Sequence, residues 1–190
     1  MGKKEGLNLA NKITMARIIL IPFFIAAVIY SKPGIALFIF SLAIISDAAD
    51  GFIARTLKQK TALGTILDPV ADKLLLVSAY ICLSLANSIP PGLKLPPYVP
   101  IIVISRDAII VLGSIIVYVV SGELKVSPSA TGKATTFFQM ITIVAILVQF
   151  KYSSAVWNTA VIFTILSGID YVVKGSRLFG ENNHWPKKAA

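Results

Sequence analysis

Four of the nine acidic residues in this 190-residue chain fall between positions 47 and 72. The segment reads Asp47-Ala48-Ala49-Asp50-Gly51-Phe52-Ile53-Ala54-Arg55, runs on for eight residues, and then reads Gly64-Thr65-Ile66-Leu67-Asp68-Pro69-Val70-Ala71-Asp72. Residues three or four apart share a helix face, so Asp47 and Asp50 form one pair, and Asp68 and Asp72 a second if their helix begins early enough. Pro69 leaves another arrangement open, in which Asp68 caps the helix and the proline occupies its first turn. In either arrangement a short loop folds the two pairs towards each other. A carboxylate in a bilayer interior costs on the order of 3 kcal/mol on insertion scales, somewhat less near the interface, and four together repel one another. Two divalent cations would neutralise them, and oxygen-only ligands favour hard ions such as Mg2+, Mn2+ or Ca2+ over zinc. Metals about 3.5–4 Å apart clamp phosphate oxygens, so phosphoryl chemistry is what such a cluster suits. The plainer reading is a solvated acidic loop, and the helical spacing and intervening apolar residues count against it.

The neighbouring residues fit a diphosphate. Gly51 lies four after Asp47 and Gly64 four before Asp68. A phosphate can approach backbone closely only where no side chain intervenes. Arg55, just beyond the first pair, is placed to reach phosphate oxygens. Helix packing alone would also account for either glycine.

The elements that must position these groups are membrane helices. Apolar residues form 56% of the chain and charged residues 14%, where a soluble domain carries roughly a quarter charged. Crossing the hydrocarbon core takes about 20 mostly apolar residues. Six runs approach that: Ile13–Tyr30, Gly34–Ala54, Pro69–Ala86, Pro97–Ser121, Thr135–Phe150 and Ser154–Lys174. Ser31-Lys32-Pro33-Gly34, Ile89-Pro90-Pro91-Gly92 and Ser127-Pro128-Ser129 break them. The expected fold is all-α, a polytopic membrane protein of six transmembrane helices forming one domain over residues 1–190, with the active site at the cytoplasmic side of the bundle. Basic residues concentrate before the first run, after the second, between the fourth and fifth, and at the C-terminus. The positive-inside rule then puts both termini in the cytoplasm. The net charge of +9 is read as attraction to anionic lipid headgroups, with no nucleic-acid partner, because the cations flank apolar runs. The single cysteine, Cys82, excludes an intrachain disulfide and reads as a buried packing thiol. No removed signal peptide is read at the N-terminus.

The spacing Asp47-x2-Asp50-Gly51-x2-Ala54-Arg55-x8-Gly64-x3-Asp68-x3-Asp72 resembles in full the signature of the CDP-alcohol phosphotransferase family. That resemblance implies a metal-dependent transfer of a phosphatidyl group from CDP-diacylglycerol to an alcohol, with release of CMP, in phospholipid biosynthesis at the cell (inner) membrane. It implies two divalent ions, Mg2+ or Mn2+, on Asp47, Asp50, Asp68 and Asp72, with Asp72 also the general base. Gly51, Ala54, Arg55 and Gly64 would then line the CDP-lipid site, and the enzyme would be a homodimer.

Two further stretches bear on the acceptor. Asn11-x2-Thr14-x2-Arg17, and Gly132-Lys133 followed by Thr136 and Gln139, look like bacterial phosphatidylglycerophosphate synthases, which use glycerol 3-phosphate. Arg17, Arg106 and Lys133 are the candidate acceptor-binding cations. Arg106-Asp107 interrupts an apolar run and must face a polar cavity or pair internally. The chain departs from the synthase pattern at Gly113 and Ser114, where a second arginine is usual, and at Thr135, where a second lysine is. Ile104-Ser105-Arg106-Asp107 and the Asp50–Arg55 segment also look like the family's cardiolipin synthases, which use phosphatidylglycerol. Glycerol 3-phosphate is the preferred acceptor and phosphatidylglycerol the alternative.

A rival from another class is a cation transporter with an acidic ion site. Transporters place such sites near the midplane, whereas these aspartates gather at one end of their runs. His184 reads as solvated, Trp185 with Lys187 and Lys188 as an interface anchor, Asp170 as a cap or a partner for Lys174, and Phe137 and Phe138 as lipid-facing or packing groups.

Overall fold

The structure is a computed structural model. It describes the backbone of residues 9–57, 62–87, 89–121 and 130–181, and the side chains of 15–46, 70–87, 89–113, 115–116 and 131–174. Among these residues the chain is all-helical, with no strand: α1 Leu9–Ile29, α2 Pro33–Leu57, α3 Ala62–Leu85, α4 Tyr98–Ser121, α5 Ala130–Leu147 and α6 Ser153–Glu181. Each lies on one of the six apolar runs. Helix α1 packs against α2 and α3, α5 and α4 each pack against α6, and α3 touches α4 and α5.

Among the described residues, the α1–α2 and α5–α6 hairpins close in the same way. At the end of α1, Lys32 N–H donates to the Ala27 carbonyl (2.9 Å) and Ser31 N–H to Val28 (3.1 Å), with Ser31 at φ 58°. At the end of α5, Phe150 N–H donates to Ala145 (2.8 Å) and Gln149 N–H to Ile146 (3.0 Å), with Gln149 at φ 57°. This pair of bonds satisfies carbonyls the helix leaves open and needs a left-handed residue, a position that usually holds glycine. Pro33 then starts α2 at the one place where a missing N–H matters least.

Helix α3 begins earlier than a first-turn Pro69 would allow. It reaches back to Ala62, so Asp68 and Asp72 lie on one helix and Asp68 is not its cap. Pro69 therefore stands inside the helix and leaves the Thr65 carbonyl without its usual donor. Pro22 does the same to Ile18 in α1.

The packing is apolar outside and locally polar within. Phe24, Phe40, Leu76, Tyr80, Leu83, Val103, Ile143 and Ile146 form the core. Large apolar side chains also point outwards from every helix, among them Phe23, Phe38, Leu85, Ile101, Phe137 and Ile169. An apolar exterior of that extent is not tolerated in water and suits hydrocarbon. Among the described residues, Ser153–Lys174 is long and apolar enough to cross a bilayer, and Met15–Ile29, Pro33–Ser46 and Thr131–Leu147 are shorter apolar helices. Buried Thr135, Gln139 and Thr164 line the contact between α5 and α6. There Thr135 Oγ1 reaches the Phe163 carbonyl (3.0 Å) and Gln139 Nε2 reaches Thr164 Oγ1 (3.3 Å). Between α4 and α6, the Tyr171 ring lies over Gly113, where a Cβ would stand 2.9 Å from its Cε1, and its hydroxyl donates to the Ile110 carbonyl (3.0 Å).

Lys174 pairs with Asp170 at 2.7 Å, Phe138 stacks on Phe163 with centroids 4.6 Å apart, and Phe137 is exposed. Cys82 is only half-buried, against the edge of the core rather than within it. Ser127-Pro128-Ser129, His184, Trp185, Lys187 and Lys188 lie outside the described residues.

Glycine at either left-handed position should relieve strain that serine and glutamine bear. Ser31→Gly and Gln149→Gly are each expected to stabilise the protein by up to about 1 kcal/mol, read as a raised midpoint of thermal unfolding in detergent. A lowered midpoint for both would show that these side chains contribute more than their backbone strain takes away.

Candidate active site

The one proposed aspartate whose side chain is described, Asp72, meets Arg17. The Arg17 guanidinium donates to Asp72 Oδ1 at 2.5 Å, with the arginine side chain 1% exposed and the aspartate 32%. Arg17 belongs to α1 and Asp72 to α3, so the bond crosses the contact between those helices. The two residues line a recess with Phe40, Ala43 and Ile44 of α2, Leu75 and Leu76 of α3, and Met140 of α5.

The helical register relates the other aspartates to this recess. On α2, Phe40 and Ala43 are buried, and positions 47 and 50 continue the same stripe at helical spacing. On α3, position 68 precedes Asp72 by four, and the stripe runs on through buried Leu75, Leu76 and Ala79. The side chains of Asp47, Asp50, Gly51, Ala54, Arg55, Gly64 and Asp68 lie outside the described residues. Among the described residues no three His, Cys, Asp or Glu side chains come together. As a donor set, four carboxylates fit hard divalent ions. The recess also already holds positive charge against the Asp72 carboxylate, in the form of Arg17.

The three candidate acceptor cations are not gathered in one place by any contact among the described residues. Arg17 is the partner of Asp72. Arg106 is buried and committed: one terminal nitrogen, Nη1, donates to Asp107 Oδ1 (2.8 Å) and the other, Nη2, to Ser167 Oγ on α6 (2.6 Å). Internal pairing, one of the two arrangements open to Arg106 and Asp107, is present. Lys133 is exposed near the start of α5.

One participant escaped the sequence reading. Lys73 donates from Nζ to Asp107 Oδ2 at 2.6 Å, so Asp107 receives two cations. The available signal was a lysine directly after Asp72 at the head of the apolar run Leu74–Ala86, which calls for an acidic partner in the bundle.

The chain belongs to the CDP-alcohol phosphatidyltransferase family, whose model matches residues 7–166. It is thereby an enzyme of membrane-associated phospholipid biosynthesis, in a family generally dependent on divalent metal. Similar proteins include the probable phosphatidylglycerophosphate synthase of Mycobacterium tuberculosis (strain CDC 1551 / Oshkosh), 30% identical over 94% of this chain and 87% of that protein. The CDP-diacylglycerol–glycerol-3-phosphate 3-phosphatidyltransferase of Bacillus subtilis (strain 168) is 35% identical over 88% of this chain and 94% of its own length. Human cardiolipin synthase (CMP-forming) is 39% identical over 55% of this chain and 33% of its own.

Breaking a buried ion pair by removing one partner is worse than removing both. Because Asp72 keeps contact with solvent, Arg17→Met is expected to destabilise by about 1–3 kcal/mol rather than the larger loss of a fully buried pair. Adding Asp72→Leu should restore much of that thermal stability in detergent without restoring activity. A double variant less stable than Arg17→Met would refute the pairing as the source of the loss.

Proposed function

We propose that this protein is a single-domain enzyme of six membrane spans, with both termini in the cytoplasm, that transfers a phosphatidyl group from CDP-diacylglycerol to glycerol 3-phosphate. The observation that carries the reading is the Arg17–Asp72 pair in a recess bordered by the stripe of α2 that positions 47 and 50 continue. Helix lengths of 18 to 29 residues agree with six spans, at about 1.5 Å per residue across a core of about 30 Å. The distribution of lysine and arginine supports the orientation. Two copies are proposed to associate within the bilayer.

Asp47, Asp50, Asp68 and Asp72 would hold two divalent ions, Mg2+ or Mn2+, which when bound would neutralise the diphosphate and polarise its phosphorus. Gly51, Ala54 and Gly64 leave backbone open beside the CDP moiety, and Arg55 binds its phosphate oxygens. Asp72 accepts the proton of the acceptor hydroxyl. The oxygen so freed bonds to the lipid-side phosphorus, the bond from that phosphorus to the oxygen of the CMP phosphate breaks, and CMP leaves with the electron pair. Among the acceptor cations, exposed Lys133 is the one open to a soluble phosphate, whereas Arg17 and Arg106 are buried beside carboxylates.

Glycerol 3-phosphate is preferred because the relatives named for it align over most of this chain. A second reading, phosphatidylglycerol as acceptor, is favoured by the 105-residue match to human cardiolipin synthase.

Purified protein given CDP-diacylglycerol, Mn2+ and each acceptor in turn should release CMP with glycerol 3-phosphate. Release with phosphatidylglycerol alone would establish the second reading. Asp72→Asn is expected to abolish release, by at least the roughly 10²–10⁴-fold that a general base contributes. Turnover by that variant at the unsubstituted rate would remove Asp72 from the base role.

A further inference from the structure

Asp107 is 8% exposed on a helix whose neighbouring turns present Ile101, Ile109 and Leu112 outwards. One cation would be enough to neutralise it. It has two, from two different directions: Lys73 on α3 at Oδ2, and Arg106 at Oδ1, itself anchored to Ser167 on α6. Both oxygens are thus committed, and the carboxylate ties three helices together at one level. Among the described residues, Lys73–Asp107 is a polar side-chain link between α3 and α4.

The place where this link grips α3 matters. Lys73 directly follows Asp72, and successive residues project about 100° apart around a helix. Asp72 is held from the α1 side by Arg17 and Lys73 from the α4 side by Asp107. Two ion pairs at one level, from different directions, fix the rotation of α3 about its own axis. Asp68 lies on the Asp72 stripe, so the same rotation would carry both positions. With side chains reaching about 5–6 Å from the axis, a turn of about 10° moves a carboxylate by about 1 Å. Metal coordination distances tolerate only about 0.2 Å.

We propose that Asp107 is a positioning residue for the aspartate site: through Lys73 it sets the rotation of α3, and hence the placing of Asp68 and Asp72 for metal, while touching neither metal nor substrate. The inference rests on the metal-binding reading given above. It differs from a role for the Arg106–Asp107 pair in binding the acceptor, and from simple support of the fold.

Three measurements on the full-length protein in detergent separate these roles: Mn2+ binding by electron paramagnetic resonance without substrate, the acceptor KM, and the thermal unfolding midpoint. Asp107→Asn keeps the shape and removes the charge, and is expected to weaken Mn2+ binding about tenfold or more, with the acceptor KM unchanged. Asp107→Glu should recover part of the loss. Lys73→Met, at a half-exposed position that tolerates an apolar side chain, should weaken Mn2+ binding in the same direction, and it serves if Asp107→Asn does not fold. Unaltered Mn2+ affinity in a folded variant, with only the midpoint or the acceptor KM changed, would overturn the proposal. If the unsubstituted protein binds no Mn2+, the aspartate metal site itself fails, and this inference with it.

Discussion

A charge enclosed by helices and hydrocarbon has to bring its counter-charge with it, and the buried charges among the described residues do so. Arg17 meets Asp72, and Asp107 meets Arg106 and Lys73. Such pairs add little net stability over apolar residues of the same volume, because desolvation offsets most of the attraction. What they supply is geometry. Two of the three join residues far apart in sequence, 55 positions for Arg17 and Asp72 and 34 for Lys73 and Asp107. Each therefore selects one register of helix against helix.

The remaining contacts follow the same logic in neutral form. Lipid is as apolar as a leucine side chain, so burial alone does not drive membrane helices together, and close packing and hydrogen bonds must contribute. The α5–α6 contact accordingly carries threonine and glutamine on its inner side. Tyr80 on α3 joins it by donating to the Gln139 carbonyl at 3.2 Å. The polar inner layer and the apolar exterior together set how the helices sit against one another.

Much of this was legible in the sequence, because the forces that produce it are local. Runs of apolar residues broken by proline and glycine give six helices, and the four-residue spacing of Asp68 and Asp72 puts both positions on one face of α3. The start of α3 was not legible. Pro69 resembles a first-turn proline, and a proline in a helix interior is disfavoured by about 3 kcal/mol, so only tertiary packing can carry the helix back to Ala62. Lys73 was overlooked for a related reason. Its partner lies on another helix, and no periodicity along α3 points to it. Nor does the sequence show that Arg17, a candidate acceptor cation, has a carboxylate partner in the chain itself.

The contact between Gly113 and Tyr171 has a consequence for how such a chain can diverge. The ring fills the notch that the absent side chain leaves, and its hydroxyl is fastened to Ile110, so it cannot simply swing away. Position 113 and position 171 share one volume and can be spent only once. A lineage that acquired arginine at 113, two turns beyond Arg106, would have to displace or shrink the side chain at 171. The two positions are thus coupled by sterics, and an exchange of acceptor preference that depended on this cation would have to pass through a loosened α4–α6 contact.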